Sequence, residues 1–76
     1  MNITYDRSVD AAYIYLIKKE EIQHGWVKKT YPCDPVEVDG MINLDFDTDG
    51  HLGGIEVLAA SKKLPQEILD QAEIIG

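Results

Sequence analysis

From Val36 to Asp47 the chain alternates. Val36, Val38, Ile42, Leu44 and Phe46 fall on even positions, with Glu37, Asp39, Asn43, Asp45 and Asp47 between them. A period of two sends successive side chains to opposite faces, so this stretch reads as a half-buried β-strand that can bend at Gly40. Thr48-Asp49-Gly50 follows as a turn with Gly50 left-handed, which sets Phe46 opposite Leu52 in a hairpin. Beyond the turn the apolar parity shifts: Leu52 is even, Ile55 and Val57 are odd, and Gly53-Gly54 lies in the gap. Strict register would turn Ile55 and Val57 onto the polar face. The sequence therefore predicts a β-bulge at the two glycines.

The remaining elements follow from the same kind of pattern. Ile3 and Tyr5 alternate with Asn2 and Thr4 as a short first strand, and Asp6–Asp10 is a turn. Ala12–Lys18, rich in aromatic and β-branched residues, reads as a second strand. It carries Ile14 and Leu16 on one face and Tyr13, Tyr15 and Ile17 on the other. Both faces are apolar, which predicts a central strand or a tyrosine face that meets a second subunit. Trp26–Tyr31 is a third strand of weaker pattern, and Pro32 and Pro35 exclude a central strand around Cys33. Pro65–Ile75 reads as a helix, with Pro65 in its first turn and Ile68, Leu69, Ala72 and Ile75 on one stripe. The expected fold class is α+β: a mostly antiparallel, twisted sheet of four or five strands with one C-terminal helix packed on it.

Size limits what such a fold can do. Residues 1–76 make a single domain, and a domain this small buries only roughly 60–65% of the surface its unfolded chain exposes. Cys33 is the only cysteine, so no disulfide framework compensates. Self-association is a natural way to bury more apolar surface. The N-terminus lacks the basic and apolar blocks of a signal peptide, and no apolar run reaches the length of a membrane span. The expectation is a cytoplasmic protein with no membrane partner. Fourteen acidic against seven basic residues give a net charge of −7, which argues against nucleic acid and for a basic protein as partner.

Asp45, Asp47, Asp49, Gly50 and Glu56 also match the calcium-loop pattern D-x-D-x-D-G-x5-E. That loop needs a helix on either side to deliver its first and last ligands. Here Pro35 and Gly40 precede it, and Gly54-Ile-Glu-Val-Leu follows as a strand. In a hairpin, Glu56 lies too far down the return strand to join the turn. The hairpin is the preferred reading, and a divalent-metal site at Asp45, Asp47, Asp49 and Glu56 is the alternative. No catalytic residue and no cofactor is predicted. The three aspartates read as solvated charges, and nothing places Cys33 beside His24 or His51 as a nucleophile and base. Tyr13, Tyr15 and Trp26 are the candidate interface residues, because amphipathic aromatics on an uncovered sheet face suit a subunit or partner contact.

Tyr5-Asp6, the Asp10-x-x-Tyr13-Ile14-x-Leu16 run, Asn43-x-Asp45-x-Asp47-x-Asp49-Gly50, Gly54-Ile55-Glu56-Val57-Leu58 and Ala60-Ser61 occur in that order. This ordered set resembles the small prokaryotic family designated domain of unknown function 2283, over nearly all of residues 1–65. Glu20–Asp39 matches only loosely, and Pro32-Cys33-Asp34-Pro35 is not part of the likeness. The resemblance implies no established activity. For some members it implies a role as small partners of toxin-like proteins. Together these readings predict a small, acidic, non-enzymatic interaction module, a homodimer that is antitoxin-like in its contacts.

Overall fold

The hairpin expected around Asp49-Gly50 forms in the computed structural model, which describes residues 2–76. In chain order the strands are β1 (Asn2–Asp6), β2 (Ala11–Tyr15), β3 (Lys29–Pro32), β4 (Ile42–Phe46), β5 (Leu52–Leu58) and β6 (Glu73–Ile74). Three short helices are α1 (Pro35–Val38), α2 (Ala60–Lys63) and α3 (Gln66–Gln71), and Lys19–Glu21 make one 3-10 turn. The strands form one sheet in the order β3-β4-β5-β2-β1-β6. All neighbours are antiparallel except β1 and β6, which run parallel. No helix among the described residues is long and apolar enough to cross a membrane.

The bulge lies where the parity shift put it. Phe46 pairs with Leu52 while Asp45 pairs with Gly54, leaving Gly53 as the extra residue. Ile55 then faces Leu44 and Val57 faces Ile42, which keeps the apolar residues of both strands on one side. Gly50 is left-handed at φ +84°, as an Asp-Gly turn of this kind requires.

Register across the sheet sorts the side chains. One face carries the row Tyr5, Ala12, Val57 and Ile42, and beside it the row Ile3, Ile14, Ile55, Leu44 and Tyr31. α2 and α3 pack on this face: Ala60 and Leu69 join Ala12 and Val57 in the buried core, with Tyr5, Ile42, Ile55 and Leu64 against them. We call it the helix face and the other the open face. Burying a Val or Leu side chain is worth roughly 1.5–3 kcal/mol. Among the described residues the buried core holds only one valine and one leucine, Val57 and Leu69, beside Ala12 and Ala60, and no large side chain is completely buried.

Several expectations need correction. The sheet has six strands rather than four or five, mostly antiparallel as expected but with one parallel pair, and three short helices stand in place of one C-terminal helix. The added strand is β6, which meets the outer edge of β1, where Ile75 N–H donates to the Tyr5 carbonyl at 3.0 Å. An edge left bare would expose a row of unpaired backbone groups. The C-terminal helix ends at Gln71 because Ala72 turns to extended backbone (ψ 149°) and feeds that edge. Val36 and Val38 belong to α1, not to the strand. Asp34 accepts the Val36 N–H at 2.9 Å with Pro35 following it, a helix-start combination that overrides two alternating valines. Lastly, β2 stops at Tyr15, and Trp26 precedes β3 rather than lying within it.

Candidate functional site

The open face is built on the two glycines of the bulge. Gly54 leaves a gap in β5, and the Tyr13 ring fills it: a Cβ at Gly54 would lie 2.6 Å from Tyr13 Cζ. The Tyr13 hydroxyl passes over this gap and donates to Asp45 on β4. Thr30 Oγ1 donates to the other Asp45 oxygen at 2.5 Å, so both oxygens of this buried carboxylate (8% exposed) are satisfied. A polar group taken out of water is costly unless it is hydrogen-bonded in this way. Burial, then the Asp45 contact, pushes the Tyr13 hydroxyl well above the usual tyrosine range.

Gly53 plays the same part for Trp26, whose Cη2 lies 3.0 Å from where a Cβ would stand, with Ile17 Cγ2 at 3.3 Å. Tyr15 leans on Tyr13 with ring centroids 4.5 Å apart at 46°. Tyr13, Tyr15 and Trp26 are all half-buried, so Tyr13 and Trp26 sit over consecutive glycines, with Tyr15 against Tyr13. Next to this cluster Asn43 donates to Glu56 at 2.9 Å. Asp6, Asp45, Glu56 and Glu73 all point to this same side by register.

A second hydrogen-bonded knot ties the helix side to the β1–β2 turn. Asp10, left-handed at φ +52°, accepts from the Tyr5 hydroxyl at 2.7 Å, the Ser61 hydroxyl at 2.7 Å and the Ser61 N–H at 3.0 Å. Its own carbonyl accepts the Ala60 N–H at 2.9 Å. Ala59, at the N-cap position, offers no side-chain cap, so Asp10 caps α2 from the other end of the chain. Ser61 first, then Tyr5, holds the Asp10 carboxyl below the usual range, while the Asp10 contact raises the Tyr5 hydroxyl.

Of the four residues in the calcium-loop pattern, the structure gathers two. Asp47 and Asp49 join His51 at the hairpin tip, with ligand atoms within 4.8 Å of one another. Asp47 Oδ1 already accepts the Asp49 and His51 N–H groups, each at 2.9 Å. Asp45 is held by Tyr13 and Thr30, and Glu56 by Asn43, both on the open sheet face. Cys33 is half-buried and joins no ligand cluster among the described residues.

These arrangements use six residues of the ordered sequence pattern. Tyr5, Asp10 and Ser61 form one knot, and Tyr13, Asp45 and Gly54 form the other. The family model described as "Protein of unknown function (DUF2283)" matches residues 2–61. The chain belongs to the DUF2283 family. No curated protein and no solved structure is significantly similar to it. In this DUF2283 chain the matched segment ends at Ser61, the residue that closes the Asp10 knot, and leaves α3 and β6 outside. Sequence reasoning did not find Thr30 and Asn43 as partners of Asp45 and Glu56. Their only signal is strand register, which places Thr30 opposite Asp45 and Asn43 opposite Glu56.

Proposed function

We propose that this protein is a small, acidic, non-enzymatic interaction module that self-associates and receives a basic protein partner on its open face. The observation that carries this reading is the cluster of Tyr13, Tyr15 and Trp26 on a sheet face that α2 and α3 leave uncovered. Tyrosine and tryptophan supply large contact area at low entropic cost and dominate the energetics of many interfaces. Trp26 rests on Gly53, Tyr13 on Gly54 and Tyr15 on Tyr13, and Asp45 holds the Tyr13 hydroxyl, so little ordering remains to be done on binding. The rim of Asp6, Glu56 and Glu73 gives the face one sign of charge, which favours a basic partner and speeds its approach. An antitoxin-like role is one concrete case.

The non-enzymatic part of the reading rests on how the carboxylates are used. Asp10 and Asp45 are saturated by donors from other elements, which suits fastening rather than proton transfer. Capture from lysate of the source cells tests the proposal. The wild-type protein is expected to retain a basic protein, and to lose it with Tyr15→Ala, with Glu56→Lys and in high salt. A protein that captures nothing, or one whose capture ignores both substitutions and salt, contradicts it.

A further inference from the structure

The self-association in that reading can be given a surface, and it is not the tyrosine face. We infer that a second copy of this chain packs on the part of the helix face that α2 and α3 leave bare. The row Ile3–Ile14–Ile55–Leu44–Tyr31 crosses five strands on this face. Of these residues only Ile55 packs against the helix-side core. Tyr31 is 56% exposed, and Leu16, next along from Ile14 on the same parity, is 45% exposed. The result is a contiguous apolar strip beside a thin core.

Three observations point to a second copy as its occupant. The first is area. A monomer of this mass usually exposes about 4,650 Å², whereas this chain exposes 5318 Å², an excess of about 670 Å². That is close to the roughly 800 Å² each partner contributes to a standard interface. The radius of gyration, 12.4 Å, likewise exceeds the value of about 11.4 Å typical of a domain this long.

The second observation is charge. With a net charge of −7, two copies repel unless they meet where acid is absent. Register puts every acidic residue of the six strands, Asp6, Asp45, Glu56 and Glu73, on the open face and none on the helix face. A basic partner gains nothing from strands that present no acid, whereas a like-charged copy can approach them with least repulsion.

The third observation removes the competing route. Pairing of sheet edges is blunted by Lys29 and Pro32 on β3, and β6 is only two residues long. Such devices protect edges from strand addition. Packing face to face leaves both edges as they are and keeps the tyrosine cluster free for a partner.

Sedimentation equilibrium of the 76-residue protein tests this surface with substitutions at positions already exposed, where folding is least at risk. Wild type is expected to dimerise with concentration. Tyr31→Glu and, separately, Leu16→Glu are expected to weaken the dimer by at least about tenfold, with unchanged far-UV circular dichroism. Tyr15→Glu, on the opposite face, is expected to leave the association intact. A wild-type monomer at every concentration overturns both the self-association reading and this surface. A dimer that survives Tyr31→Glu and Leu16→Glu overturns the surface alone, and loss with Tyr15→Glu instead would move the interface to the tyrosine face.

Discussion

The Tyr13 hydroxyl reaches Asp45 across the bare backbone of Gly54, so a side chain on β2 is fastened to β4 over the strand between them. The two residues are 32 positions apart in sequence. This strap fixes the half-buried tyrosine in place on the open face. Through it, the matched sequence pattern serves the shape of a surface.

Removing the Tyr13 hydroxyl should be costly out of proportion to its size. In Tyr13→Phe the buried Asp45 keeps only Thr30 as a side-chain donor, and an under-satisfied buried group costs about 1–3 kcal/mol. Urea unfolding of the two proteins measures this. The difference should also fade in alkali. The Tyr13 pKa is raised by folding, so its contribution is full below the unfolded value of about 10 and is lost as pH rises through the folded value.

Gly54→Ala is expected to destabilise by about 1–3 kcal/mol, the usual cost of forcing atoms into filled space, because its Cβ collides with the Tyr13 ring. Gly53→Ala has a more specific readout. Trp26 is the only tryptophan and lies on Gly53, so the substitution should shift its fluorescence emission as the indole is displaced. Unchanged emission would contradict the packing.

Asp10 makes stability depend on acid. Hydrogen bonds from Ser61, then Tyr5, depress its pKa in the folded state. The stabilisation is therefore complete above the unfolded value of about 4 and drains away as pH falls through the folded value. Ser61→Ala should lower the urea midpoint most near neutral pH, and the penalty should shrink as pH drops below about 4. A penalty independent of pH would show that Ser61 does not act through the Asp10 carboxylate.

Calcium at millimolar concentration is expected to leave the melting temperature unchanged. Asp45 and Glu56 are occupied on the sheet by Tyr13, Thr30 and Asn43, which leaves Asp47, Asp49 and His51 as the ligand atoms near one another. Amide shifts confined to the hairpin tip agree with this. Shifts at Asp45 and Glu56 with a rise in melting temperature would mean that the loop rearranges around the ion.

The hairpin, its left-handed Gly50 and the bulge were legible because a parity change across two adjacent glycines has one simple geometric solution. Tyr13 and Tyr15 could be assigned to one face from the period of two along β2, whereas Trp26 lies outside β3 and strand parity gave no signal for its place over Gly53. Val36 and Val38 misled because two alternating valines are equally compatible with a single helical turn, and Asp34-Pro35 decides between them. The strand β6 has no local signal: Glu73 and Ile74 become a strand only because β1 has an open edge beside them. The straps from Tyr13 to Asp45 and from Asp10 to Ser61 span 32 and 51 positions. Such pairings follow from register, and register is known only once the whole sheet is assembled.

Self-association is the property on which the interaction reading most depends, and light scattering measures it directly. The native protein should show a mass approaching twice its 8.5 kDa, with and without calcium. A mass that stays at that of one chain at high concentration, or that doubles only when calcium is added, would contradict the account.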